Sequence, residues 1–372
     1  MTLMALGEVT VRRDHFDPSK THHTPSGFRN NHPHAEHGLV ALLRWQWERW
    51  QRRWTRRATA PVPALASTDP GYLKANDRET TVTWIGHSTL LLQVAGINLV
   101  TDPHLTDRAS PLSWIGPKRN VPPGLGFAEL PPLDLVLLSH NHYDHLDLPT
   151  LRWLGQQPCE RQPQAVVPLG LKAFLAEQGL CKVVELDWWE HVCFRDAVIH
   201  AVPAQHFSAR TPFDRNQTLW AGYVVEHPVC RFFFAGDTGY CADFQIIGRK
   251  LGPMDLAAIP IGAYEPRWFM HALHVTPEEA VKIHQDVRSR RSVGIHWGTF
   301  ELTDEPLDEP PKRLREALAR AGISAEEFFV MQHGETRRLG DSHVDRSALS
   351  GDAARDPAGL ATQKRSKLNL QG

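Results

Sequence analysis

The sequence predicts a layered α/β fold. Short β-like runs alternate with helix-compatible segments from about residue 76 to 341, and several of the runs are apolar throughout, as strands covered on both faces should be. Histidines and aspartates follow directly on the ends of these runs, where α/β sheets place their chemistry.

The runs are taken in order. TTVTWIGHSTLLLQV and INLVTDP open the series, followed by LDLVLLSH and QAVVPL, then VIHAVPAQHF, WAGYVVEH, RFFFAGD, LAAIPIG and SVGIHWG. Between them LPTLRWLGQQ, LGLKAFLAEQG and TPEEAVKIHQDVRSR carry helical spacing; Thr276 suits an N-cap and Pro277 the first helical position. Residues 1–75 read as an extension rich in His, Pro, Trp and Arg, whose THHTPSGFRNNHPHAEHG has neither strand nor helix period. Residues 342–372 are polar and almost free of large apolar side chains, the composition of a disordered tail.

Composition narrows the function classes. With 372 residues, 41% hydrophobic and 22% charged, the chain can bury a sizeable core. A net charge of −1 gives no global attraction to nucleic acid, which is not an expected partner. The five cysteines, widely spaced and without a C-x-x-C pair, argue against a disulfide framework and a thiolate metal site and fit a reducing cytosol. No signal-like start or span of about 20 apolar residues is present, so the expectation is a cytoplasmic protein, at most peripheral on the inner membrane face.

The densest chemistry is LLSHNHYDHLD, residues 137–147, where an apolar run ends in H-x-H-x-D-H from His140 to His145. Imidazole and carboxylate suit borderline metals such as zinc, and four candidate ligands exceed what one open tetrahedral ion would use, so two metals are expected. Further donors stand at later run ends: His206, Asp237 and His296. A lone histidine at a strand end is more often a capped or solvent-facing residue; the joint occurrence of the three with the cluster is what carries weight.

SHNHYDHLD followed by AQHFSAR, FFAGDTGY and GIHWGTF resembles the metallo-β-lactamase-fold hydrolases. TWIGHSTLLLQ, TDPHL and PIGAYEPRWFMHALHVTPEEAVKIH resemble the N-acylphosphatidylethanolamine-hydrolysing phospholipase D branch. The resemblance covers residues 78–340 and implies an αββα sandwich with two mixed sheets between outer helices. It further implies that His140, His142 and His206 hold one zinc, that Asp144, His145 and His296 hold the other, and that Asp237 bridges them. Asp102 and His87 would support these ligands from behind, although Asp102 before a proline is equally a turn residue. His274 would lie near the substrate phosphate; Asp144, Asp237 and His274 are the catalytic candidates. Iron or manganese would suit the same donors.

The reaction so implied is hydrolysis of a phosphodiester by a hydroxide between two metals, releasing N-acylethanolamine and phosphatidic acid. A cytosolic lactonase or phosphoesterase acting on a small sugar-phosphate-type substrate is the alternative, and a non-enzymatic metal-binding protein the last. A phospholipid partner at a membrane surface needs a docking element. LVALLRWQWERWQRRWTRR, residues 39–57, places Leu43, Trp47, Trp50 and Trp54 on one helical face, and six arginines, Arg49 and Arg53 among them, against Glu48 leave it a net charge of +5. The same face could instead pack on its own domain, or the extension could mediate a homodimer.

Overall fold

The computed structural model describes residues 15–34, 37–53 and 61–340, and in this last helical turn the side chains of Arg52 and Arg53 are not described. Trp54 and the tail 342–372 lie outside the described residues.

Two seven-stranded mixed sheets form the frame. The first is built from β3 (Thr81–Gly86), β4 (Thr89–Val94), β5 (Ile97–Thr101), β6 (Leu135–Leu137), β7 (Gln164–Pro168) and β8 (Val183–Leu186), with β16 (Thr336–Arg338) from the far end of the domain on its other edge beside β3. The second runs from β9 (His191–Phe194) through β10 (Ala197–Val202), β11 (Gly222–Glu226), β12 (Arg231–Phe234), β13 (Leu256–Pro260) and β14 (Ser292–Ile295) to β15 (Phe328–Phe329). Each sheet has three antiparallel pairings followed by three parallel ones.

The apolar runs explain the layering. In β6, Leu135 and Leu137 enter the core between the sheets while Val136 faces outward; in β12, Phe232 and Phe234 point in and Phe233 points out. A strand needs apolar residues on both faces when both are covered. The outer face of the first sheet is covered by α3 (Leu148–Gly155) and α4 (Lys172–Glu177), through Leu151, Leu154, Phe174 and Leu175. The outer face of the second is covered by α5 (Asp243–Leu251), α7 (Pro277–Asp286) and α8 (Glu309–Ala321), through Phe244, Ile247, Ile283 and Leu314. The result is an αββα sandwich, as the resemblance implied.

The α7 start has a full capping box: Thr276 Oγ1 accepts from the Glu279 N–H, and Glu279 accepts from the Thr276 N–H.

Residues 15–34 pack beside the end of β8 in the first sheet and the loop after β10 in the second, although their sequence has no period. A two-residue-per-strand hairpin, β1 (His23–Thr24) with β2 (Gly27–Phe28), brings Lys20, His22 and His23 onto one buried carboxylate, Asp187, at 2.6, 2.6 and 2.8 Å. Helix α1 (Leu39–Arg53) follows and packs through Trp45 on the short α6 (Arg267–Met270), and α2 (Pro70–Ala75) precedes the first sheet.

One expectation is overturned. Cys159 and Cys181 form a disulfide, with Cα atoms 5.9 Å apart. The wide sequence spacing concealed this because parallel β7 and β8 bring the chain before one strand beside the start of the other. With these two bridged, cysteine usage no longer speaks for a reducing compartment.

Candidate metal centre

The site is built where β6 runs out. Beyond Leu137 the chain turns tightly, with the His145 and Leu146 N–H groups both donating to the His142 carbonyl, at 3.1 and 2.8 Å. The turn folds His140, His142, Asp144 and His145 toward one point. Arg210 locks it from outside: Nη1 donates to the carbonyls of Asn141 and Leu146 at 2.7 and 3.0 Å, and the guanidinium lies 4.0 Å above the Tyr143 ring.

The second sheet supplies the facing residues from the ends of β10, β12 and β14. Their donor atoms, those of the loop and that of His87 from the turn between β3 and β4 form two groups, His140, His142, His206 with Asp237, and His87, Asp144, His145 with His296. Asp237 joins the two groups. Its Oδ2 lies 3.0 Å from His145 Nε2, 3.2 Å from His296 Nε2, 3.8 Å from His206 Nε2 and 3.9 Å from His140 Nε2. Asp144 Oδ2 lies 3.3 Å from His145 Nε2 and 3.4 Å from His296 Nε2.

Gly236, at φ 62°, sets the Asp237 turn: a Cβ there would stand 2.7 Å from Ser139 Cβ, so glycine is needed both for the backbone and for the close approach of the two sheets. His87, Asp102 and His296 also hold left-handed backbone, at φ 53°, 32° and 59°. Such conformations cost energy at non-glycine residues and gather at sites the surrounding structure over-determines.

The outer nitrogens of three ligand candidates, His140, His145 and His206, are occupied, whereas His296 Nδ1 is buried without a partner. His145 Nδ1 bonds Asp102 Oδ2 at 2.6 Å, and Asp102 is fully buried, taking two further bonds from Ser139, its N–H at 2.7 Å and Oγ at 2.5 Å. Asp102 is thus more than a turn residue. His206 Nδ1 donates to the Leu273 carbonyl at 2.9 Å, and His140 Nδ1 pairs with Ser139 Oγ at 2.9 Å. His87 Nε2 bonds Asp144 Oδ2 at 2.9 Å, which fixes that carboxylate. His274 has its ring 5.1 Å from that of His206 and 5.2 Å from that of His296, with Nδ1 unpartnered.

The electrostatics separate two kinds of imidazole. Burial holds His140 and His206 well below the usual imidazole range and lowers His142 and His274 to about 4. Burial would do the same to His145 and His296, but the carboxylates around them prevail and raise both, His296 to about 9. Burial would raise Asp144 and Asp237; the charge of His145 beside them holds both well below the usual carboxylate range.

These residues fit a cation. His145 Nε2, His296 Nε2 and Asp237 Oδ1 are buried without a hydrogen-bond partner, although the two nitrogens stand within 3.2 Å of the Asp237 carboxylate. Nitrogens that close to an oxygen without donating to it aim at a common point, as ligands around an ion do. All donors are nitrogen or oxygen, which suits a borderline or hard divalent ion.

Two supporting residues were not singled out in the sequence. Arg210 stands four residues after His206 in the same AQHFSAR run, so the motif contained it. Asn30 had no signal: Oδ1 accepts from the His206 N–H at 3.1 Å and from the Trp220 indole at 3.1 Å, and Nδ2 donates to the His206 carbonyl at 2.8 Å.

Fold and site together define a metal-dependent hydrolase. The β-lactamase superfamily domain model matches residues 97–297. N-acyl-phosphatidylethanolamine-hydrolyzing phospholipase D 1 of Caenorhabditis elegans is 44% identical over 271 residues, 70% of this chain and 76% of that one. The mitochondrial N-acyl-phosphatidylethanolamine-hydrolyzing phospholipase D of Saccharomyces cerevisiae is 37% identical over 264 residues, 68% of this chain and 55% of that one. Among solved structures, a metallo hydrolase from the archaeon Ignicoccus hospitalis shares the fold, with a TM-score of 0.53 at 22% identity over 70% of this chain and 98% of that one. The chain belongs to the β-lactamase superfamily, in the branch that includes these N-acyl-phosphatidylethanolamine-hydrolysing phospholipases D.

Proposed function

We propose that the protein is a two-zinc phosphodiesterase that hydrolyses N-acylphosphatidylethanolamine to N-acylethanolamine and phosphatidic acid. The observation that carries this reading is the convergence of six further donors around the Asp237 carboxylate, in a chain 44% identical to a relative named for that reaction. His140, His142, His206 and Asp237 would hold one ion; Asp144, His145, His296 and Asp237 the other. When bound, such a pair supplies Lewis-acid activation of water and neutralises charge on a phosphodiester.

The chain's own residues prepare this. Asp102 and the Leu273 carbonyl fix the tautomers of His145 and His206 so that their Nε2 lone pairs face the centre. His274, neutral at pH 7 because burial lowers it to about 4, would give the leaving oxygen a hydrogen bond and not a proton.

The lipid surface would be met by α1. Trp45 is the residue that packs inward, on Phe269 and Met270, with its indole donating to Asp304 Oδ2 at 3.1 Å. Leu43, Trp47 and Trp50 on the remaining faces are 59%, 58% and 58% exposed. Arg49 turns back to the carbonyls of Glu301 and Leu302 and anchors the helix. This supports an interfacial helix over one hidden against its own domain. No helix among the described residues is long and apolar enough to cross a membrane, and the association proposed is peripheral, through α1.

The test is product analysis by mass spectrometry after incubating zinc-loaded protein, beside Asp237→Asn, with N-acylphosphatidylethanolamine vesicles. Release of both products by the unsubstituted protein alone is expected. No release from protein shown to carry about two ions per chain, as a two-metal site requires, would overturn the lipid reading in favour of a small soluble ester or lactone.

A further inference from the structure

We propose that His32, Cys241 and Asp243 form a third cation site, separate from the catalytic centre, that pins the N-terminal segment to the start of α5. Their Nε2, Sγ and carboxylate atoms all lie within 4.8 Å of one another. His32 Nε2 is 3.1 Å from Asp243 Oδ2, and Cys241 Sγ is 3.7 Å from the same oxygen. Tetrahedral zinc, with bonds of 2.0 to 2.3 Å, sets neighbouring ligand atoms roughly 3.3 to 3.6 Å apart; the two spacings here, the second made by the Cys241 thiol donating to the carboxylate, lie just below and just above that range, so small shifts would bring the three donors onto one ion.

The second observation is the state of His32 Nε2. It is a buried nitrogen without a hydrogen-bond partner, although a carboxylate oxygen lies 3.1 Å away. That combination, close approach without donation, is the one His145 and His296 show beside Asp237 in the main centre. An ordinary His–Asp ion pair would aim the N–H at the oxygen.

Cys241 and Asp243 are each only 5% exposed. Burial and the neighbouring Asp243 push the Cys241 thiol up to about 12, so it stays protonated unless a cation replaces its proton, which then leaves to solvent. Asn31 Nδ2 donates to the same Asp243 Oδ2 at 3.3 Å and so holds that oxygen in place beside His32. His32 and Cys241 also line a cavity of about 780 Å³, bordered by His34, His37, Arg267 and Trp268, with room for water to complete the coordination. Mixed nitrogen, sulfur and oxygen donors select a zinc-like ion over calcium or magnesium.

Consequences for the main site follow from the chain. Asn30, two residues before His32, clasps the backbone of His206. An ion at His32 would hold that clasp in place.

Sulfur gives the proposal a signature that the main centre cannot produce, because its seven donors are nitrogen and oxygen. The full-length protein is stripped with a chelator and titrated with Co²⁺. A thiolate-to-cobalt charge-transfer band in the near ultraviolet is expected, lost in Cys241→Ser, kept in Cys193→Ser, and weakened in His32→Ala. Zinc content should be about three ions per chain, two of them in the main centre, and fall by one in Cys241→Ser. No such band in the unsubstituted protein, or a band that survives Cys241→Ser, overturns the site and leaves an ion pair beside a buried thiol. The optical readout is independent of turnover, so its failure is distinct from failure of the proposed lipid reaction.

Discussion

The residue Asn30 bonds both sides of the His206 peptide from 176 positions away. Asn30→Ala would remove both bonds while leaving the sheets untouched. Loss of a group that orients a metal ligand costs typically 10- to 100-fold in metal affinity or activity. We expect a fall of about that size, measured by competition with a chelator and by turnover; unaltered values would show that the clasp is idle. A second residue-level expectation concerns pH. With His145 and His296 raised, His296 to about 9, protein stripped of metal carries protons there at neutral pH that a cation must displace. Metal affinity should therefore rise with pH up to about 9, by about tenfold per unit for each proton displaced. Calorimetric titration in buffers of different ionisation enthalpy counts the released protons, and a flat profile below that pH would contradict the assignment. At this scale the sequence showed what lies close along the chain: His140 to His145 share one loop. Asn30 and Asp187 were invisible because their partners are over 160 residues distant.

Among elements, α1 offers the clearest test. Trp47 and Trp50 are each more than half exposed, while Trp45 is packed. Trp47→Ala with Trp50→Ala should weaken binding to vesicles of anionic phospholipid at least tenfold, each exposed indole contributing roughly 1 kcal/mol at an interface, with no change in melting temperature. Co-sedimentation checks it, and equal binding by the double variant would remove α1 from the membrane. The strands were legible in a patterned way. All the central strands of both sheets stood out as apolar runs, whereas β8, β9, β15 and β16 did not, and these four are the edges. An edge strand is short and can be covered on fewer sides, so its composition is not forced: β15 has two residues, and β9 is exposed at every second position.

The whole molecule is two sheets of matching construction facing each other across one core. Four donors come from the loop after β6 in the first sheet, and His206, Asp237 and His296 from the second. The motif order along the chain announced this architecture through family resemblance; residue patterning alone reached only as far as layered α/β. The disulfide went unread because proximity of Cys159 and Cys181 is a property of the assembled sheet. Its closed loop of 22 residues should contribute roughly 3 kcal/mol to stability by restricting the unfolded chain. The Cys159→Ser and Cys181→Ser pair should unfold at correspondingly lower denaturant than the oxidised protein. Coincident unfolding curves would mean that the bridge does not form in solution.

The Asn30 clasp also bears on where composition would draw the start of the domain. A chain cut near residue 75, where the patterned region begins, keeps every strand of both sheets. It strands the amide and carbonyl of His206 without their shared partner, while the indole of Trp220 keeps only the Ala204 carbonyl. Phe28 in the core between the sheets and Leu73 beneath the first sheet would be lost as well, so the boundary that composition draws falls inside the folded body, and an expression boundary placed there would remove core together with the support of His206.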